Sequence, residues 1–156
     1  MVKQQRKRGV NMTTRISDAY ITNRSWFRSV LNNQPVVLCR TSALECLQLF
    51  NGYAGEKTID VYTKSHGSSE NVNYRILNSF DNIEIVRIGD ISCTSANQTF
   101  NDMLSDFNNI DEQSLIEALA TYYYANNESF DGLNIIPENT ECFESIRNWA
   151  IEYYDD

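Results

Sequence analysis

The hydrophobic spacing changes twice along this chain, from a helical period to a β period and back. Apolar residues between Asp18 and Asn33 keep a helical spacing. Residues 59–93 then hold short runs rich in β-branched and aromatic residues, separated by polar turns, which is typical of strands. After residue 95 the helical spacing returns and continues through the C-terminal third. This order predicts an α+β fold: one small mixed sheet of about 4–5 strands with helices packed on it, and an all-helical C-terminal third.

Polar residues at the expected helix starts support the prediction of these helices. Two pairs fit the capping box, in which each residue satisfies a free backbone amide of the other. The pairs are Ser42 with Glu45, and Ser95 with Gln98. Asp111 fits the N-cap of a later helix, and Asn51-Gly52 fits the end of the helix that Ser42 would open.

The final helix is predicted to be amphipathic. Its apolar stripe is expected to include Trp149, and its polar residues lie on the opposite side of the helix. These polar residues are Glu141, Glu144, Asn148 and Glu152.

The N-terminal residues have the opposite charge from the rest of the chain. Residues 1–15 contain five basic residues and no acid, which predicts a flexible basic arm over residues 1–17 and a single α+β domain over residues 18–156. One alternative function uses this arm, in a DNA-associated transcriptional regulator that grips phosphates. The residues that would do so are Lys3, Arg6, Lys7 and Arg8.

The C-terminal third is strongly acidic. Between Asp102 and Asp156 there are 13 acids and one base, Arg147, so the net charge of this segment is −12. Such a field repels phosphates and attracts basic protein surfaces, so nucleic acid is disfavoured as the partner of the folded body. Surplus acid that only keeps the domain soluble is the alternative. The residues predicted to bind a basic protein partner are Asp102, Asp106, Asp111, Glu112, Glu117 and Tyr124.

Nothing in the sequence resembles a membrane span, a secretory signal or a disulfide scaffold. The longest apolar run, Pro35 to Cys39, has the length of a buried strand. Four cysteines spread over 156 residues are too sparse for a disulfide-stabilised fold. A cytoplasmic protein is therefore expected.

No pattern of catalytic, metal-binding or cofactor-binding residues stands out, so the protein is predicted not to be an enzyme. The cysteines are not paired at zinc-ligand spacing, His66 lies in a polar loop, and glycine-rich phosphate loops are absent. A magnesium-dependent nuclease using Asp60 and Glu84 is a weaker alternative, because no acid-x-lysine triplet accompanies these acids.

Two short patterns between Val36 and Tyr124 give the chain a family resemblance. The first runs from Arg40 to Glu45 (RTSALE) and is followed by Leu47, Phe50 and Gly52. The second runs from Ile91 to Leu104 (ISCTSANQTFNDML). Both resemble the C-terminal domain of the AbiEi-type antitoxins of type IV abortive-infection toxin–antitoxin systems, where a strand leads through a hydroxyl-bearing turn into a helix.

The resemblance implies a function, but it does not extend to the whole family pattern. It implies that the chain neutralises a nucleotidyltransferase-like toxin, its cognate partner, without cofactors. Family members usually carry an N-terminal winged-helix domain, and the 35 residues before Val36 are too few for one. Transcriptional autoregulation is therefore not expected to follow from the resemblance.

Overall fold

The computed structural model describes residues 24–52 and 58–155. Contacts divide the chain into two compact units, residues 1–34 and 35–156. In the first unit, the described part of helix α1 covers residues 24–31 and contains an aromatic contact between Trp26 and Phe27. Asn32 and Asn33, both with positive φ, follow this helix, and asparagine tolerates that conformation better than most residues. The helical spacing before Asn33 is confirmed over these described residues.

The second unit contains one mixed sheet of five strands. The strands are β1 (Val37–Leu38), β2 (Ile59–Thr63), β3 (Val72–Ile76), β4 (Ile85–Ile88) and β5 (Ile91–Thr94). Their order in the sheet is β3-β2-β1-β5-β4. The pairs β2/β3 and β1/β5 are parallel, whereas β1/β2 and β4/β5 are antiparallel.

The strand sequences account for these pairings. In β2, Ile59, Val61 and Thr63 are buried while the alternate residues are half-buried, as the two-residue period of a strand requires. A two-residue turn joins β4 to β5, and its Gly89 has a φ of 64°. Tight hairpins need this left-handed conformation, which glycine adopts readily.

Helices of the second unit form the main hydrophobic core. They are α2 (Arg40–Cys46), α3 (Ala96–Ser105), α4 (Glu112–Ala125) and α5 (Thr140–Glu152), with 3₁₀ turns at Phe107–Asn109 and Pro137–Asn139. The core contains Leu44, Phe100, Leu115, Leu119 and Ile146, all at most 1% exposed. The predicted α+β class, with its mixed sheet and helical C-terminal third, is confirmed.

The capping prediction at Ser42 is wrong, while that at Ser95 is confirmed in part. Helix α2 begins at Arg40, so Ser42 lies inside it, and the Ser42 hydroxyl accepts a hydrogen bond from the Asp60 backbone amide at 2.9 Å. The helix ends at Cys46 rather than near Gly52. In contrast, the Ser95 side chain caps α3 by accepting from the Gln98 amide.

Within the described ranges, no helix combines the length and the apolar character that crossing a bilayer requires.

Candidate functional site

A mixed-charge cleft of about 330 Å³ lies beside β2, β3 and the start of α2. We call it the Arg40–Arg75 cleft. In the parallel pairing of β2 with β3, Asp60 lies opposite Asn73 and Tyr62 lies opposite Arg75. Because alternate residues of a strand share a face, these four side chains lie on one face of the sheet. The lining residues are Arg40, Thr41, Glu45, Thr58, Asp60, Asn73, Arg75, Asn109, Ile110 and Asp111.

Arg40 is held in a strained position at the wall of this cleft. Its φ of 48° lies in the left-handed region, which costs a residue with a Cβ roughly 1–2 kcal/mol. One guanidinium nitrogen, Nη1, donates to Asp106 Oδ2 at 2.8 Å. Burial acts to lower the pKa of Arg40, but the hydrogen bond and charge of Asp106 outweigh burial and raise it. The buried Nε atom makes no hydrogen bond with any residue the structure describes.

Asp60 and Arg75 face each other across the β2/β3 pair without forming a tight ion pair. Arg75 Nη2 is 4.0 Å from Asp60 Oδ1, which also accepts from Asn73 Nδ2 at 3.2 Å. Burial raises the pKa of Asp60, and the hydrogen bond from Asn73 and the charges of Arg75 and Arg40 lower it by less. The cleft therefore holds a desolvated carboxylate close to two guanidinium groups.

A second polar contact joins the sheet to α3 next to the cleft. The Tyr62 hydroxyl donates to Asp102 Oδ2 at 2.8 Å, and Gln98 Nε2 donates to Asp102 Oδ1 at 2.9 Å. Burial raises the pKa of Asp102, although both hydrogen bonds act in the opposite direction. Asp102 thus fastens α3 to β2.

The expectation of a single acidic helical face is wrong, because the six residues predicted to bind a partner are spread over α3, α4 and the residues that follow α3. Their role in binding a partner stays a prediction. Asp106 pairs with Arg40, and Asp111 lines the same cleft and caps α4, whereas Asp102 accepts hydrogen bonds from Tyr62 and Gln98. Glu117 accepts from the Tyr153 hydroxyl at 2.8 Å, and Tyr124, although 41% exposed, donates to the Ile151 carbonyl at 2.7 Å.

The physical reason for this dispersal is the burial of α4. Residues 114–116 and 118–120 of α4 are all buried, because this helix packs between other elements of the core. A helix buried on most sides cannot present its acids together. Glu112, at its first position, is exposed and lies at the helix start, where a carboxylate complements the helix dipole.

Among the described residues, α5 carries three exposed acids, more than any other helix. We call the surface that carries them the α5 outer face, and every member is exposed. Its members are Glu141, Glu144, Ser145, Asn148, Trp149 and Glu152. The four polar residues predicted to face away from the apolar stripe are therefore confirmed as exposed. Trp149 was expected on the buried stripe but is 57% exposed, because its position borders the stripe rather than lying in it.

The positions of Asp60 and Glu84 contradict the weaker nuclease alternative. Asp60 is on β2, and Glu84 directly precedes β4, with β1 and β5 between these strands. Three strand spacings separate the acids by roughly 14 Å or more, too far to share a metal ion. Glu84 instead accepts a hydrogen bond from the Ser95 hydroxyl.

The cysteines and His66, considered above as possible functional residues, do not form a site in the described part of the chain. Among the described residues, no group of three or more histidine, cysteine, aspartate or glutamate side chains could hold a metal ion. Cys39, Cys46 and Cys93 are buried and Cys142 is half-buried. His66 is exposed and contacts the ring of Tyr74. The basic arm, with Lys3, Arg6, Lys7 and Arg8, lies outside the described residues.

Comparison with known proteins identifies no family for this chain. No family model matches the sequence, and a search of curated proteins finds no match either. The resemblance to the AbiEi-type antitoxins therefore depends only on the two short patterns. In the structure, the first pattern covers most of α2, and the second covers β5 and most of α3.

Proposed function

We propose that this chain is a non-enzymatic interaction protein of the antitoxin type, which neutralises a basic partner protein through the α5 outer face. The partner that the resemblance implies is a nucleotidyltransferase-like toxin. The observation that carries the proposal is an exposed tryptophan among exposed glutamates on one helix.

Trp149 supplies the kind of side chain that anchors protein interfaces. It is 57% exposed, the largest exposed fraction among the exposed large hydrophobic residues of the described chain. Tryptophan is enriched among the residues that contribute most to binding, since it offers a large rigid surface at little entropic cost. Tyr154, 55% exposed, lies beyond the C-terminal end of the same helix.

The glutamates of the α5 outer face carry charges that no ion pair neutralises among the described residues. The carboxylates of Glu141, Glu144 and Glu152 form no ion pair or hydrogen bond with any residue the structure describes. Their charges are therefore available to a partner. Exposed charges of one sign speed the encounter with an oppositely charged surface and select against acidic competitors.

Charge reversal tests the electrostatic part of the proposal. The double variant Glu141→Lys/Glu144→Lys is expected to slow association with the protein encoded by the adjacent gene about tenfold or more at low salt. Glu70→Lys/Asp81→Lys is the matched control, because it changes net charge equally at exposed positions outside α5. Association rates measured by surface plasmon resonance at two salt concentrations distinguish the variants.

Truncation of the anchor tests the contact itself. Trp149→Ala is expected to weaken the complex by about 2 kcal/mol, or roughly thirtyfold in Kd. It is also expected to leave the unfolding transition nearly unchanged, since the side chain is largely exposed. Growth rescue from the neighbouring protein should fall in parallel. The proposal fails if the two proteins form no salt-sensitive complex and growth is not rescued.

The DNA-associated regulator remains a separate prediction. Lys3, Arg6, Lys7 and Arg8 would carry it, and no observation in the described residues favours it. DNA binding that persists after deletion of residues 1–15 would exclude that mechanism.

A further inference from the structure

The Arg40–Arg75 cleft is a second surface with charges that the fold does not fully use. Both arginines have donors to spare within the described part of the chain. Arg40 uses Nη1 on Asp106 and leaves Nε unbonded, and Arg75 reaches Asp60 only at 4.0 Å. A guanidinium group carries five N–H donors, more than these contacts use, so both arginines can donate to an acceptor supplied from outside.

The same cleft also offers acceptors. Asp60 Oδ1 accepts from Asn73, while Asp60 Oδ2 accepts no hydrogen bond from the described residues. Asp111 lines the cleft and uses Oδ1 for the Ser114 amide at 3.4 Å. Two guanidinium groups and the carboxylates of Glu45, Asp60 and Asp111 therefore share one volume of about 330 Å³.

This mixture of charges restricts the ligand. A simple anion such as phosphate would bind the two arginines but meet three carboxylates. A simple cation would meet the opposite problem, because the two guanidinium groups would repel it. A molecule that carries both a carboxylate and an ammonium group satisfies both sets.

The volume of the cleft and its uncharged lining residues restrict the class of ligand further. A cleft of this volume is at the lower end of the range for small-molecule sites. Thr58, Asn73 and Asn109 add uncharged polar groups to its walls. We propose that the Arg40–Arg75 cleft binds a free α-amino acid with a small polar side chain, its carboxylate on the two arginines and its ammonium group on Asp60 and Asp111.

The proposal does not depend on the interaction function assigned to α5. None of the residues that line the cleft belongs to the α5 outer face. A chain that fails to bind any partner could still bind the amino acid. A chain that fails to bind the amino acid could still bind its partner through the α5 outer face.

Calorimetric titration of the full chain tests the proposal, with L-serine and L-glutamine as probes. Either probe is expected to bind with a Kd on the order of 1 mM or below. N-acetyl-L-serine keeps only the carboxylate and L-serinamide keeps only the ammonium group, so each is expected to bind at least about tenfold more weakly. Inorganic phosphate is titrated as a third comparison, because it is a simple anion that carries no ammonium group.

Variants connect binding to the cleft. Arg75→Gln and Asp60→Asn, which remove the charge but keep a polar side chain, are each expected to raise the Kd about tenfold. Arg87→Gln is the matched control, because Arg87 is an exposed arginine on the edge strand β4. Each variant is checked for an unchanged circular dichroism spectrum, and the analogue comparison needs no variant at all.

Three results would overturn the proposal. One is no measurable heat from either amino acid at about 10 mM. Another is equal binding of the single-charge analogues, or tighter binding of phosphate. The third is binding that Arg75→Gln and Asp60→Asn leave unchanged.

Discussion

At the scale of single residues, Asp60 shows how position in a strand changes the chemistry of a side chain. The sequence marks it only as an acid within a β-rich run. In the structure it shares a sheet face with Tyr62, and its neighbours on β3 are Asn73 and Arg75. The register between β2 and β3 cannot be read from one sequence, because eight residues of polar loop separate the two strands and admit several pairings. The Arg40–Arg75 cleft was therefore not predictable.

Asp60 is expected to make stability fall as the pH rises. Burial raises its pKa above the ordinary value of 3.8, so the folded chain holds the proton more tightly than the unfolded chain does. This contribution to stability is fully present below pH 3.8 and is lost as the pH rises through the folded pKa. Asp60→Asn has no carboxyl group to titrate, so it removes this loss of stability at higher pH. Relative to the unaltered protein, the variant's free energy of unfolding should therefore increase between about pH 4 and pH 7.5, measured by urea denaturation.

Asp106 provides a control of opposite sign. Hydrogen bonds from Asn109 and Arg40 lower its pKa below 3.8. Its contribution to stability is present above pH 3.8 and is lost as the pH falls through the folded pKa. Asp106→Asn should therefore be most destabilising, relative to the unaltered protein, at neutral pH. Parallel pH profiles for the two variants would contradict at least one of the two assignments.

At the scale of helices and strands, two similar sequence signals lead to different structures. Ser95 with Gln98 marks the start of α3, as the capping-box pattern predicts. Ser42 with Glu45 has the same spacing but lies inside α2, because the chain passes directly from β1 into the helix. The Ser42 hydroxyl bonds the Asp60 amide instead, 18 residues away. A local pattern cannot reveal such a distant partner, whereas helix existence, which depends on local spacing, was predicted correctly.

Removal of the α3 cap provides a test at this scale. Ser95→Ala is expected to lower the free energy of unfolding by about 1 kcal/mol, since the Gln98 amide loses its acceptor. Ser95→Thr keeps a hydroxyl and should recover most of that loss. Chemical denaturation of both variants measures the difference. A loss that is equal in the two variants would show that packing, rather than the cap, is responsible.

At the scale of the whole molecule, charge is distributed unevenly along the chain. The net charge of −8 is the sum of a basic start and a C-terminal segment of −12. On α5 the glutamates repel one another without cations beside them among the described residues, apart from the half-buried Arg147. Such repulsion stabilises nothing in the isolated chain, whereas a basic partner would relieve it.

This view predicts that salt stabilises the isolated chain. Raising NaCl from about 20 mM to about 500 mM shortens the screening length from roughly 20 Å to about 4 Å. Weaker repulsion should then raise the free energy of unfolding by roughly 1 kcal/mol, the scale of one or two exposed charge pairs. The triple variant Glu141→Gln/Glu144→Gln/Glu152→Gln should be more stable at low salt and less sensitive to NaCl, because it lacks those charges. Equal salt dependence in the two proteins would mean that the α5 glutamates are too well solvated to repel one another, and the electrostatic argument for a basic partner at this face would lose its support.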